Sequence, residues 1–155
     1  MRTSALYTLG LFDKNTIDTH IEAAIKGRLS DSHTFVRKEA VTTPRKLNIV
    51  KHARVIARML TDHEPGVLYV ALVALGKLES SALEKHAHVI AGFLKDPTGS
   101  VRIAALRAPR QLKPAAIAHH AADIEGLRQS DPDDRVHREA VQTMGSLTGG
   151  GCGAR

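Results

Sequence analysis

The chain is short of aromatic residues: two Tyr, three Phe and no Trp, 3% of 155 residues. β-Sandwiches and barrels draw on aromatic and β-branched side chains, so this scarcity weighs against them. Ala, Leu, Val and Ile, by contrast, suit closely packed helices. It also leaves few platforms on which unpaired bases would stack. Cysteine is nearly absent. Cys152 stands alone in the run GGGCGAR, so no internal disulfide forms and nothing argues for an oxidising compartment. No apolar run reaches the roughly 18–20 residues that a membrane helix needs, and no signal-peptide pattern precedes the first periodic segment. The expectation is a soluble intracellular protein, without a membrane partner and with its compartment open. Also missing are a Ser/His/Asp arrangement, a phosphate-binding Gly loop between strand and helix, and a CxxC pair. The reading is therefore no enzyme, no cofactor and no metal.

What is present is a core and a repeat. The chain is 43% hydrophobic and carries a net charge of +6. That charge permits nucleic acid, an acidic membrane or an acidic protein as partner and selects none of them. Five segments align without gaps: MRTSALYTLGLF (1–12), VRKEAVTTPRKL (36–47), VLYVALVALGKL (67–78), VRIAALRAPRQL (101–112) and VHREAVQTMGSL (136–147). Position 1 is Met or Val. Position 5 is always alanine: Ala5, Ala40, Ala71, Ala105 and Ala140. Position 6 is Leu or Val and position 12 Leu or Phe. Positions 1, 5, 6, 9 and 12 lie on one helical face, and the alanine marks a close helix–helix contact.

Between these segments, which we term helix B, lies a second set, helix A: 17–31, 49–62, 83–96 and 117–131. Each has Ile or Leu three residues before a histidine (His20, His52, His86, His120) and closes on an aspartate (Asp31, Asp62, Asp96, Asp131). Five residues later comes the valine that opens the next helix B. Asp-Pro, Glu-Pro-Gly and Thr-Gly-Ser supply turn chemistry in that gap. The unit is helix A, short turn, helix B, of about 34 residues, within the range of helical-repeat periods. Neither helix buries its apolar stripe alone, and stacking the pairs makes a continuous core.

The Asp-x₄-Val-Arg step (Asp31…Val36-Arg37, Asp96…Val101-Arg102) and the Ala-Leu-x-x-Leu-Gly run (Ala5–Gly10, Ala71–Gly76) resemble the HEAT repeat family. The resemblance implies an all-α fold, an α-solenoid of stacked antiparallel helix pairs with about four and a half repeats across residues 1–147. These would be a helix B at 1–12, then repeats at about 13–47, 48–78, 79–112 and 113–147, followed by a flexible Gly-rich tail at 148–155. It further implies a polar ladder between the turn aspartates and the arginine after valine. Leu68 and His137 replace that arginine in two copies, so the ladder is expected to break there. Position 9 is proline at Pro44 and Pro109, which predicts kinked or shortened helices. Because the array begins at a helix B, a longer solenoid or a place in a larger complex is also expected.

The recurrent histidines invite a metal reading. One histidine per rung, with rungs about 10 Å apart, does not converge on one ion, so a structural histidine bonded across a repeat junction is expected instead. Iron-dependent hydroxylases of HEAT type hold their metals with repeated His-Glu pairs. Here His63-Glu64 is the only such dipeptide, and it falls in a turn.

Positions 3, 7 and 10 of helix B face away from the core. In a solenoid similar to the HEAT type they line the concave surface. They place Tyr69, Val73 and Ile103 as an apolar centre, flanked by Lys38, Arg45, Arg107, Arg110 and Arg138, with Tyr7 at the first copy. Exposed apolar residues so grouped mark a partner site. The leading expectation is a non-catalytic interaction or scaffold module that binds an acidic or amphipathic protein segment there. Nucleic-acid binding through the basic residues and a structural role in a large assembly are the alternatives.

Overall fold

The computed structural model describes residues 27–42, 49–112 and 118–148. Among them every regular element is helical. The helix B at 1–12, residues 17–26 of the helix A expected at 17–31, Tyr7, Arg45, Pro44 and residues 149–155 of the expected tail lie outside the described residues, while Thr148 belongs to the last helix. The chain divides into two compact units, Met1–Leu78 and Glu79–Arg155. The first holds α1 (Thr34–Thr42), α2 (Ile49–Arg58) and α3 (Pro65–Leu75). The second holds α4 (Ser80–Leu83), α5 (Ala87–Gly92), α6 (Gly99–Arg107), α7 (Ala121–Ser130) and α8 (Asp134–Thr148). In the first unit α3 packs on α1 and α2; in the second α8 packs on α6 and α7. Each unit thus repeats the same pair of contacts, helix B on helix B and helix A on helix B.

One turn recurs four times. The side-chain oxygens of Asp31, Asp62, Asp96 and Asp131 accept the N–H two residues on, from His33 (2.9 Å), Glu64 (2.9 Å), Thr98 (2.8 Å) and Asp133 (2.8 Å). An aspartate closing its own turn in this way takes the chain out of a helix without a glycine. The backbone is extended at Asp62 (φ −70°, ψ 145°), Asp96 (φ −62°, ψ 139°) and Asp131 (φ −68°, ψ 132°). α1, α3, α6 and α8 each start three residues after their aspartate.

That fixed offset sets which face of helix B is buried. Val36, Val67, Val101 and Val136 are 6%, 0%, 0% and 0% exposed, and Ala40, Ala71, Ala105 and Ala140 no more than 1%. An alanine at zero exposure in copy after copy is where a larger side chain would overpack the helix contact. Position 6 follows the pattern at Val41, Leu72 and Leu106, but Val141 is 45% exposed.

Where sequence periodicity and structure differ, local causes are visible. The helix expected over 83–96 is four pieces: α4, a 3₁₀ turn at Glu84–His86, α5, and a 3₁₀ turn at Phe93–Lys95. Its buried anchors are Leu83, Ile90 and Leu94, while Glu84, Lys85, His88 and Val89 between them are exposed. Little packing enforces α geometry across His86. Its backbone relaxes to φ −112°, ψ −2°, and His120 does the same at φ −109°, ψ 6° before α7. In these two copies the histidine marks a bend that restarts helix A, whereas His52 lies inside the continuous α2. Proline acts as its chemistry requires. α6 ends at Arg107 and continues as a 3₁₀ turn at Ala108–Gln111 that contains Pro109.

Candidate functional site

The best-built polar features are two matching ion pairs, one in each unit. Arg37 Nε donates to Asp62 Oδ2 at 2.7 Å and Nη2 to Oδ1 at 3.2 Å, while Nη1 donates to the carbonyls of Asp31 (2.8 Å) and Ser32 (3.2 Å). Arg102 repeats this arrangement. It donates to Asp131 through Nε and Nη2 at 2.8 Å each, and through Nη1 to the carbonyls of Asp96 (2.8 Å) and Pro97 (3.1 Å). Each guanidinium ties its own turn to the next one along the chain. Both pairs are buried, with side chains 6% and 5% exposed at Arg37–Asp62, and 11% and 2% at Arg102–Asp131. Burial pushes the Asp62 carboxyl up. The bonds from Arg37 and from the Glu64 N–H, with the attraction of the Arg37 charge, outweigh it and hold the group below its ordinary value. Such a pair is fully engaged and serves structure. At position 68 the arginine is replaced by Leu68, which is buried, and at 137 by His137, which is exposed; no guanidinium leaves either position. An open recess of about 690 Å³ beside the first pair is lined by Ser30, Ser32, Arg58, Thr61 and His63 among others.

The helix B faces differ between the units. On α3, Val67, Leu68, Ala71, Leu72, Ala74 and Leu75 are buried. The half-open residues are Gly66, Tyr69, Val70, Val73 and, just past the helix, Gly76. Their spacing of three and four puts them on one stripe, and the stripe carries no charge. Lys38 of α1 borders its first turn: a methyl placed on Gly66 would sit 3.6 Å from Lys38 Cδ and Nζ. Lys38 thus borders the first turn of the stripe that carries Tyr69 and Val73 in the first unit.

In the second unit three of the equivalent positions, Arg107, Arg110 and Arg138, carry charge. Ile103, expected in the open apolar centre, is 9% exposed and belongs largely to the core. Arg107 Nε donates to Glu139 Oε2 at 2.9 Å, and its Nη2 lies 2.7 Å from the same carboxylate oxygen. Arg110 Nη2 reaches Glu139 Oε1, and Gln142 Oε1 at 2.8 Å. Arg138 is exposed. Thr143, fully buried, donates to the Glu139 carbonyl (2.9 Å) and lies 3.3 Å from the Leu106 carbonyl of α6. Position 4 of the repeat had given no reason to single out Glu139. The signal was the pair Arg107 and Arg110, one helical turn apart on the preceding helix B.

Of the recurrent histidines, His20 and the side chain of His52 lie outside the described residues. Neither His86 nor His120 makes a side-chain bond at its helix start. The ring of His120 instead lies against that of His88, centroids 6.3 Å apart and tilted by 39°. They share an open groove with Lys95 and Asp123, which pair at 2.9 Å. Among the described residues no group of three or more His, Cys, Asp or Glu is placed to hold a metal ion, and no helix is long and apolar enough to cross a membrane. No protein-family model matches the chain, and no curated protein matches it.

Proposed function

We propose that the chain is a non-catalytic interaction module. Its helix pairs stack as an α-solenoid similar to the HEAT repeats, and its helix B faces take up an acidic, partly apolar segment of another protein. The observation that carries this reading is the α3 stripe. A helix with its core face already filled still turns Tyr69, Val70 and Val73 outward, half open, with Lys38 alongside. An apolar strip with a cation at its edge fits the apolar face and acidic flank of an amphipathic segment. The second unit supports the acidic half of that description, because Arg107, Arg110 and Arg138 occupy the matching positions. The repeated turn and the four buried alanines support the stacked architecture.

The test is a pulldown with the full chain carrying Tyr69→Ala and Val73→Asp. Loss of the partners held by the unaltered chain is the expected result, and an unchanged set of partners sinks the reading. Val141 favours a second reading, a structural subunit of an assembly, since position 6 is buried in the other described copies. Under that reading the isolated chain self-associates or unfolds readily. A well-folded monomer in sedimentation contradicts it.

A further inference from the structure

Phe35, in the first turn of α1, is 65% exposed, more than any other large apolar side chain among the described residues. The repeat does not require an apolar residue there. The position before the valine is Gly66 in α3, Ser100 in α6 and Arg135 in α8, small or polar in each. Nor does packing use it, since the buried residues of α1 are Val36, Arg37, Ala40 and Val41. A phenyl ring left in water forgoes the gain of burial, and a surface that covers it recovers that gain. Phe35 and Lys38, three residues apart, share a face of α1. The stem of Lys38 runs beside the first turn of α3, within 3.6 Å of where a methyl on Gly66 would lie. Its ammonium has no carboxylate partner among the described residues, and α3 supplies none, PGVLYVALVAL carrying no acid. Glu64, just before α3, is turned to His63 at 3.8 Å. Beyond Gly66 come Tyr69, Val70 and Val73, half open.

We propose that Phe35 anchors an acidic amphipathic helix of another protein, whose apolar side chains pack on Phe35 and the α3 strip and whose carboxylate pairs with Lys38; this rests on the protein-binding reading above and names the form of the partner and its first contact. Charge complementarity selects the carboxylate, because the lone ammonium beside this strip has no acid of its own to pair with. Hydrogen bonding selects the helix. The strip has no Asn or Gln that could bond a peptide backbone. An extended segment laid on it would leave its own N–H and C=O groups unpaired as water departed, whereas a helix satisfies its own. Tyr69 and Val73, four residues apart, span about 6 Å of helix axis, the spacing of an i,i+4 pair on the partner. Nucleic acid fits less well. One lysine offers phosphates no track of charge, and Val70 and Val73 offer bases no stacking face.

The experiment is fluorescence anisotropy of a labelled helical peptide, with leucines at i, i+3, i+4 and i+7 and glutamates flanking them, against the full chain. Phe35→Ala is expected to weaken binding about tenfold and to leave the urea midpoint in place, because the ring lies outside the core. Lys38→Met keeps the stem, removes the charge and is expected to weaken binding several-fold. Replacing the peptide's glutamates with glutamine is expected to weaken its hold on the unaltered chain more than on the Lys38→Met chain. Val89→Ala, at an exposed apolar position of the second unit, is expected to change binding less than about twofold. A peptide of the same composition with leucine and glutamate alternating gathers no apolar face as a helix and is expected to bind several-fold more weakly. Phe35→Ala binding as tightly as the unaltered chain, or Val89→Ala losing as much, overturns Phe35 as the anchor. Equal losses from glutamine in the two chains remove Lys38 as the partner of the carboxylate. Equal or tighter binding of the alternating peptide overturns the helix as occupant. A single-stranded oligonucleotide that binds more tightly than the helical peptide, and depends equally on Phe35, overturns a protein partner. Failure here and failure of the wider reading are distinguishable. Binding lost with Tyr69→Ala/Val73→Asp but kept with Phe35→Ala leaves the α3 strip and removes the anchor. Binding that needs Phe35, together with a pulldown indifferent to Tyr69 and Val73, removes the strip and leaves the anchor.

Discussion

The two units share a turn and differ in a face. Arg37–Asp62 and Arg102–Asp131 superpose bond for bond in their pattern: Nε and Nη2 to the carboxylate, Nη1 to two carbonyls of the preceding turn. The faces do not correspond. α3 presents Tyr69, Val70 and Val73, whereas α6, the 3₁₀ turn after it and α8 present Arg107, Arg110 and Arg138. Features repeated between units serve the packing that every copy needs. Features that vary at equivalent, outward positions are free of that demand and are where recognition is to be sought.

The largest effects fall on the shared turn. Asp62→Ala and Asp131→Ala each leave a buried guanidinium without its carboxylate, and each is expected to cost about 3–5 kcal/mol in urea unfolding. A cost below about 1 kcal/mol at either position would mean that the pair is replaceable by water and that the units are not built alike. The same pair predicts a pH dependence. The Asp62 carboxyl is held below its ordinary value in the fold, so the unfolded chain binds its proton first as pH falls. The stability it contributes is full above the unfolded value and is lost as pH drops through the folded one. Urea midpoints should fall on acidification below the ordinary aspartate range, and Asp62→Asn should flatten that fall.

Next in size are the alanines. Ala71→Leu in the first unit and Ala105→Leu in the second are expected to cost about 1–3 kcal/mol each by overpacking. A neutral outcome at one of them would show that its helix contact is looser than its twin. The helix B cations come after: under the proposed function, Arg107→Gln/Arg110→Gln is expected to weaken binding of an acidic peptide about tenfold, or about 1.4 kcal/mol, in a fluorescence anisotropy titration. Smallest is Pro109→Ala. It lets α6 run on past Arg107, with a gain in helical circular dichroism and a stability change within about 1 kcal/mol. No gain in helicity would place the cause of the short helix outside the proline.

Much of this was legible in the chain because it rests on local chemistry. The aspartate that closes helix A, the valine five residues later and the alanine four after that placed the start and buried face of every described helix B. The arginine after Val36 and Val101 foretold the two ion pairs. The fracture of 83–96 was not legible. Periodicity counts apolar positions, and Leu83, Ile90 and Leu94 satisfy it while leaving the stretch between them unpacked. Ile103 was misplaced for a related reason: a helical wheel gives direction, but burial depends on what the neighbouring helix covers. Glu139 lay beyond single-helix reasoning altogether, since its partners sit 29 and 32 residues earlier. Aligning positions 7 and 10 of one copy with position 4 of the next would have found it.

The central claim is that the outward helix B positions are the binding surface. A nuclear magnetic resonance titration of the full chain with a peptide alternating glutamate and leucine tests it most directly. Shifts are expected to concentrate at Lys38, Tyr69, Val73, Arg107, Arg110 and Arg138. Shifts confined to the helix A side, around Glu84–Val89, or to the aspartate turns would contradict it.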